Sequence, residues 1–159
     1  MGSALKLLTA MHVSANSRFL DLGSGHGMVC LAASLAFGAA ATGIEMHEQR
    51  HAWAEQKRRE IGIAGLAFVC GDICHLKTLE NATHVYSFDR DFPPALLQHM
   101  AGLLKSSWRV FASSRPSGCW RSICGAWWDK HVLPAEPSSV SIRLCGSGKT
   151  HTIYVFRRR

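Results

Sequence analysis

The feature that most constrains this chain is an apolar run that stops abruptly on alternating glycines, Phe19-Leu20-Asp21-Leu22-Gly23-Ser24-Gly25-His26-Gly27. A run of that kind suits a parallel strand covered on both faces. Gly23 and Gly25 let the backbone turn sharply and approach a ligand with no Cβ in the way. Residues 28–37 follow, Ala-rich and apolar nearly all round, which predicts a buried helix stopped by Gly38. Strand, glycine loop and helix together place a ligand at the strand's carboxyl end.

The rest of the pattern repeats that alternation. A short helix is expected over 3–12, before the first strand at 17–22. Further strands are expected at 41–45, 66–70, 84–88 and 108–112. A long polar helix spans 47–61 with Gly62 as its cap, and Pro93-Pro94 opens another helix to about 104. A Trp-rich stretch over 116–130 shows no clear period. Strands at 138–144 and 151–156 flank Gly146-Ser147-Gly148-Lys149, a hairpin turn. The expected fold is α/β and Rossmann-like: a seven-stranded, mostly parallel sheet with helices on both faces and a C-terminal antiparallel hairpin. A final antiparallel hairpin separates the methyltransferase form of such a sheet from the dehydrogenase form. The 159 residues show no internal repeat and no domain boundary, so a single domain over 1–159 is expected.

Three acids give the ligand a character. Asp21 sits at the end of the first strand, able to hold the loop or reach a cofactor's amino-acid moiety. Glu45 closes the second strand, where an acid accepts hydrogen bonds from ribose hydroxyls. Asp72 follows the third strand, placed to accept from an adenine amino group while Ile73 packs on the ring. The dinucleotide fingerprint is G-x-G-x-x-G, but here the glycines run Gly23-x-Gly25-x-Gly27 behind Asp21. The Asp-Leu-Gly-x-Gly spelling favours S-adenosylmethionine. The expected cofactor set is Asp21, Gly23, Ser24, Gly25, His26, Glu45, Met46, Asp72, Ile73 and Phe88.

Composition narrows the partners. The net charge of +7 draws the chain to polyanions, nucleic acid among them, or serves solubility alone. Much of it is local, in Arg157-Arg158-Arg159 and in Arg50, Lys57, Arg58 and Arg59. No apolar run approaches a membrane span, and no secretory signal opens the chain, so an intracellular location without membrane contact is expected. Six cysteines (Cys30, Cys70, Cys74, Cys119, Cys124 and Cys145) then read as free thiols. His47 and His51 have metal-ligand spacing on a helix but no evident third ligand, and Cys70 reads as a buried strand residue, so no metal is expected.

Leu20 to Val29 resembles the first motif of the non-SET histone lysine methyltransferases, the disruptor-of-telomeric-silencing family. Gly43-Ile44-Glu45 resembles the second motif, and Gly71-Asp72 the adenine contact. Phe92-Pro93-Pro94 and Ser113-Ser114-Arg115-Pro116 resemble the family's Phe-Gly-Pro and Ser-Ser-Lys-Pro signatures, and residues 148–153 its final hairpin. The family carries Asn-Asn-Phe where this chain has Phe88-Asp89-Arg90, and a lobe before the first motif that is not expected here. The resemblance implies a protein lysine N-methyltransferase acting on a histone or nucleosome, hence a nuclear one. An RNA or small-molecule methyltransferase, or a binding module without turnover, is the alternative. Phe88 and Phe92 are expected as walls near the methyl group, or else as ordinary core. Asp89 is expected to hold the acceptor nitrogen or the cofactor's amine, or else to pair with Arg90 or Arg115.

Overall fold

Strand β1 (Arg18–Leu22) has four of its five residues buried, as a strand between two helical layers must. The computed structural model describes residues 2–79, 81–106, 108–132, 138–143 and 149–159. β1 runs parallel to β2 (Ala40–Glu45) on one side and to β4 (His84–Ser87) on the other. β3 (Leu66–Cys70) extends the sheet beyond β2, and β5 (Val110–Ser113) lies beside β4, both in parallel. β7 (Thr150–Arg157) is antiparallel between β5 and β6 (Ser138–Arg143), giving the order β3-β2-β1-β4-β5-β7-β6. The order reverses between β1 and β4, which opens a crevice at the carboxyl ends of the parallel strands.

The period-2 alternation of side chains divides the core into two layers. α1 (Gly2–Ala10) and α2 (Met28–Phe37) bury Leu7, Leu8, Cys30 and Ala33 against Phe19, Ala41 and Tyr86. α3 (Glu48–Ile61) completes that layer through Ala54, and ends on Gly62, whose N–H donates to the Arg58 carbonyl. α4 (Pro94–Leu103), α5 (Ser117–Cys124) and α6 (Ala126–His131) cover the opposite face, over Leu20, Val85, Phe111 and Phe156.

Two expectations are corrected, and a stretch without a clear period takes shape. The Trp-rich stretch is two helices, α5 and α6, divided by Gly125 at φ 60° and ψ −148°, a conformation open only to glycine. Trp120 and Trp128 stack 6.3 Å apart, buried on Phe111 and Phe156, so they are core. The fifth strand begins at Val110, not Trp108, because the buried indole of Trp108 turns back to donate to the Leu104 carbonyl at 2.6 Å. Cys70 is exposed: β3 is an edge strand, and only the single 3-10 turn Ile73–His75 is found among the described residues between β3 and β4. Leu144, Cys145 and the hairpin turn at Gly146–Gly148 lie outside the described residues.

Candidate cofactor and substrate site

Beyond β1 the chain folds over the end of β2, where the Gly23 and Ser24 N–H groups both donate to the Ile44 carbonyl at 2.9 Å. Gly23 takes φ +84°, and a Cβ there would stand 3.0 Å from the ring of Phe92. The loop therefore runs edge-on beneath an aromatic wall that arrives 69 residues later in the chain.

Glu45 ties the crevice together. Its Oε2 accepts the Gly25 N–H at 2.8 Å, its Oε1 accepts the His47 N–H at 2.8 Å, and its carbonyl accepts the Gly71 N–H at 3.0 Å. One buried residue thus holds the loops after β1, β2 and β3. Each carboxylate oxygen keeps acceptor capacity toward the cavity that Glu45 also lines. Asp72 lines the same cavity while its Oδ1 caps the turn at Cys74 N, 2.8 Å away. That bond holds its carboxyl below the usual range, so Asp72 is an ionised acceptor.

The cavity has a volume of about 570 Å³. That falls within the roughly 300–1,000 Å³ of small-molecule sites. Of the sequence-predicted residues, Gly23, Glu45, Met46, Asp72, Ile73, Phe88 and Phe92 line it. Met46, Ile73, Phe88, Phe92, Pro93 and Leu96 give it an apolar lining. His151 backs Phe88 edge to face at 5.1 Å.

Five residues of the expected site, Asp21, Ser24, Gly25, His26 and Asp89, do not line the cavity. Asp21 is buried behind the loop toward α2, with Cys30 Sγ 4.0 Å from its Oδ2. Its Oδ1 has no hydrogen-bond partner, and neither has Ser24 Oγ. Burial first, and then the charge of Glu45, raise the Asp21 carboxyl to about 8. His26 is exposed and packs edge-on against Trp53, 5.3 Å away. Asp89 is fully buried and faces β5: Oδ2 accepts the Ser113 hydroxyl at 2.7 Å, and Oδ1 the Ser114 hydroxyl at 2.6 Å and N–H at 3.1 Å. Neither arginine reaches that carboxylate; Arg115 Nε donates instead to the Asp89 carbonyl at 3.2 Å.

The cavity also takes in His47, Arg50 and Asp91, which the sequence reading did not assign to it. His47 and Arg50 flank the start of the helix that follows Glu45, and Asp91 stands beside Phe92. Adjacency to two expected site residues was the available signal.

Comparison with known proteins agrees with this architecture. A family model described as "Histone methylation protein DOT1" matches residues 3–66, which include the glycine loop and Glu45 and stop before Phe92. No curated protein matches the chain by sequence. Solved structures match over nearly its whole length. An RNA methyltransferase from Salinibacter ruber, in complex with S-adenosyl-L-homocysteine, is 21% identical over 96% of this chain and 87% of its own, with a TM-score of 0.65. Magnesium protoporphyrin IX methyltransferase from Synechocystis PCC 6803, with bound SAM, is 18% identical over 99% and 79%, at 0.73. TrmN from Thermus thermophilus is 16% identical over 98% and 48%, at 0.72. The fold is that of the class I S-adenosylmethionine-dependent methyltransferases. The chain resembles the histone-methylating family in its first 66 residues.

Proposed function

We propose that the chain is an S-adenosylmethionine-dependent methyltransferase acting on a protein lysine, of the kind the histone-methylating family represents. The observation that carries the reading is the convergence of Gly23, Glu45 and Asp72 on one cavity that Phe88 and Phe92 also line. The donor and acceptor set fits the cofactor. Glu45 and Asp72 offer carboxylate acceptors for ribose hydroxyls and an adenine amino group, with Met46 and Ile73 as apolar flanks.

The bound cofactor supplies an electrophilic methyl group on a sulfonium. The chain's own contribution is positioning and exclusion of water. Phe88, Phe92, Pro93 and Leu96 surround an entering amine with apolar surface, which favours its neutral, nucleophilic form. Asp91, exposed on the same wall, attracts a cationic side chain to the entrance. Asp89 serves as a positioning residue, fixing the segment that carries both phenylalanines to the end of β5. A lysine of histone or nucleosome is the acceptor this reading favours, which places the protein in the nucleus. Among the described residues no helix is long and apolar enough to cross a membrane.

Incubation with methyl-labelled cofactor and, in turn, nucleosomes, free histones, RNA and small amines tests the reading. Label in histone lysine is the expected result. Label in RNA or in a small molecule alone overturns the lysine assignment and leaves the methyltransferase. Cofactor binding without any transfer makes the chain a binding module.

A further inference from the structure

The amino-end rim of the sheet, opposite the cofactor crevice, carries a second cavity of about 320 Å³. Arg18, at the start of β1, Arg109, just before β5, and Arg158, just past β7, all line it, with Asn81, Thr83 and Trp108. Three separate strands bring their ends here, so the cluster is a product of the fold and not of one basic stretch of sequence. No carboxylate among the described residues lines the cavity or pairs with any of the three arginines.

Two of the three guanidinium groups are held by neutral partners. Arg18 Nε donates to the Asn81 carbonyl at 2.6 Å, and Arg158 to the Ser106 carbonyl while lying 5.6 Å over the Trp127 ring. Each guanidinium has five N–H donors in a planar fork, so most remain for a ligand. Positive charge is concentrated around them. Burial first, and then Arg157, Arg109 and His12, hold the His84 imidazole below its ordinary range. The acids of the sheet lie at the other end: Glu45 closes β2, and Asp72 and Asp89 follow β3 and β4. A five-residue strand separates the two rims by about 15 Å.

We propose that this rim is a docking site for a single nucleic-acid strand, gripped through its phosphates by Arg18, Arg109 and Arg158. Forked guanidinium groups match phosphate oxygens in pairs. A concave site accepts a flexible strand's phosphate and sugar more readily than the convex face of a duplex. The site reads no base, so DNA and RNA bind alike. It does not depend on the methyl-transfer reading.

Fluorescence anisotropy of the full chain with labelled 20-nucleotide DNA and RNA, titrated from 50 to 300 mM salt, tests the proposal. The double variant Arg109→Gln/Arg158→Gln should lose about tenfold or more in affinity at low salt. Its log–log salt slope should flatten by roughly 1.4, the value for two phosphate contacts on a single strand. A charge-matched control on α3, Lys57→Gln/Arg59→Gln, should stay within about twofold, because the rim arginines are then intact. Photo-crosslinking of the unsubstituted chain to thiouridine-bearing RNA, which does not depend on the variants folding, should label peptides around residues 81–84, 108–110 and 157–159. Absence of oligonucleotide binding at 50 mM salt overturns the site. So do equal losses in the two double variants, crosslinks confined to α3, or poly-glutamate binding with the same affinity and the same loss.

Discussion

Glu45, the last residue of β2, accepts the backbone N–H of Gly25 at 2.8 Å through one carboxylate oxygen. The other oxygen accepts from His47, so the side chain that faces the cavity also sets the shape of the loops around it. Binding and stability are therefore coupled at this residue. Glu45→Ala should weaken S-adenosylhomocysteine binding by about 1–3 kcal/mol and also lower the unfolding free energy, since two part-buried N–H groups lose their acceptor. Glu45→Gln, which keeps one acceptor oxygen, should recover part of both. Calorimetry and urea unfolding on the same preparations check the pair of effects.

Asp21 makes stability depend on pH in the direction opposite to that of most carboxylates. Its carboxyl titrates near 8 in the fold and near 3.8 when unfolded, so the folded state holds the extra proton between those values. Stability from this group is full below about pH 4, falls as pH rises, and levels off above about 8. Asp21→Asn removes the titration. The difference in urea midpoint between the unsubstituted chain and Asp21→Asn should therefore shift steadily in the variant's favour from pH 5 to pH 8. A difference that does not change with pH contradicts the buried carboxyl.

Asp89 and Ser113 form a buried pair at 2.7 Å, and the Ser113 hydroxyl also accepts the Trp120 indole N–H and the Arg115 N–H, both at 2.9 Å. Ser113→Ala should destabilise the fold by about 1–3 kcal/mol, because buried polar groups lose their partner. Cofactor affinity should hardly change in Ser113→Ala or in Asp89→Asn. A large loss of affinity in Asp89→Asn with unchanged thermal unfolding would instead return Asp89 to the cofactor's amine.

Phe92 covers the glycine loop closely enough that a Cβ on Gly23 would stand 3.0 Å from its ring, so the ring would have to shift. Gly23→Ala should cost about 1–2 kcal/mol from the left-handed backbone alone and push the Phe92 ring toward the cavity. Phe92→Ala removes the wall without straining the loop. It should reduce kcat for a lysine substrate by tenfold or more while changing cofactor affinity little, and steady-state kinetics with labelled cofactor separate the two.

The sheet was legible where burial on both faces imposes one composition. The runs at β1 and β2 and the helix Met28–Phe37 fall where the sequence puts them, within a residue. Edge position is a property of the neighbours, so nothing in Leu66–Cys70 itself revealed that Cys70 would be exposed. Trp120 and Trp128 lie eight residues apart on two helices turned by Gly125, which breaks the period that would have marked them as core. Glu45 and Asp72 line the cavity with Gly23 because strand ends are local features of the sequence, whereas Asp21, one residue short of its strand's end, turns toward α2. The partner of Asp89 was not legible: charge-based reading looked to Arg90 and Arg115, and the hydroxyls that bind it come 24 and 25 residues later.

Isothermal calorimetry of the full chain with S-adenosylhomocysteine tests the central claim most directly, because every role assigned to the crevice at the carboxyl ends of the strands requires that it hold this adenosyl ligand. Saturable one-to-one binding, weakened in Glu45→Ala and in Asp72→Ala but preserved in Lys57→Gln/Arg59→Gln, is the predicted result. No binding at millimolar ligand by a chain that unfolds cooperatively contradicts it.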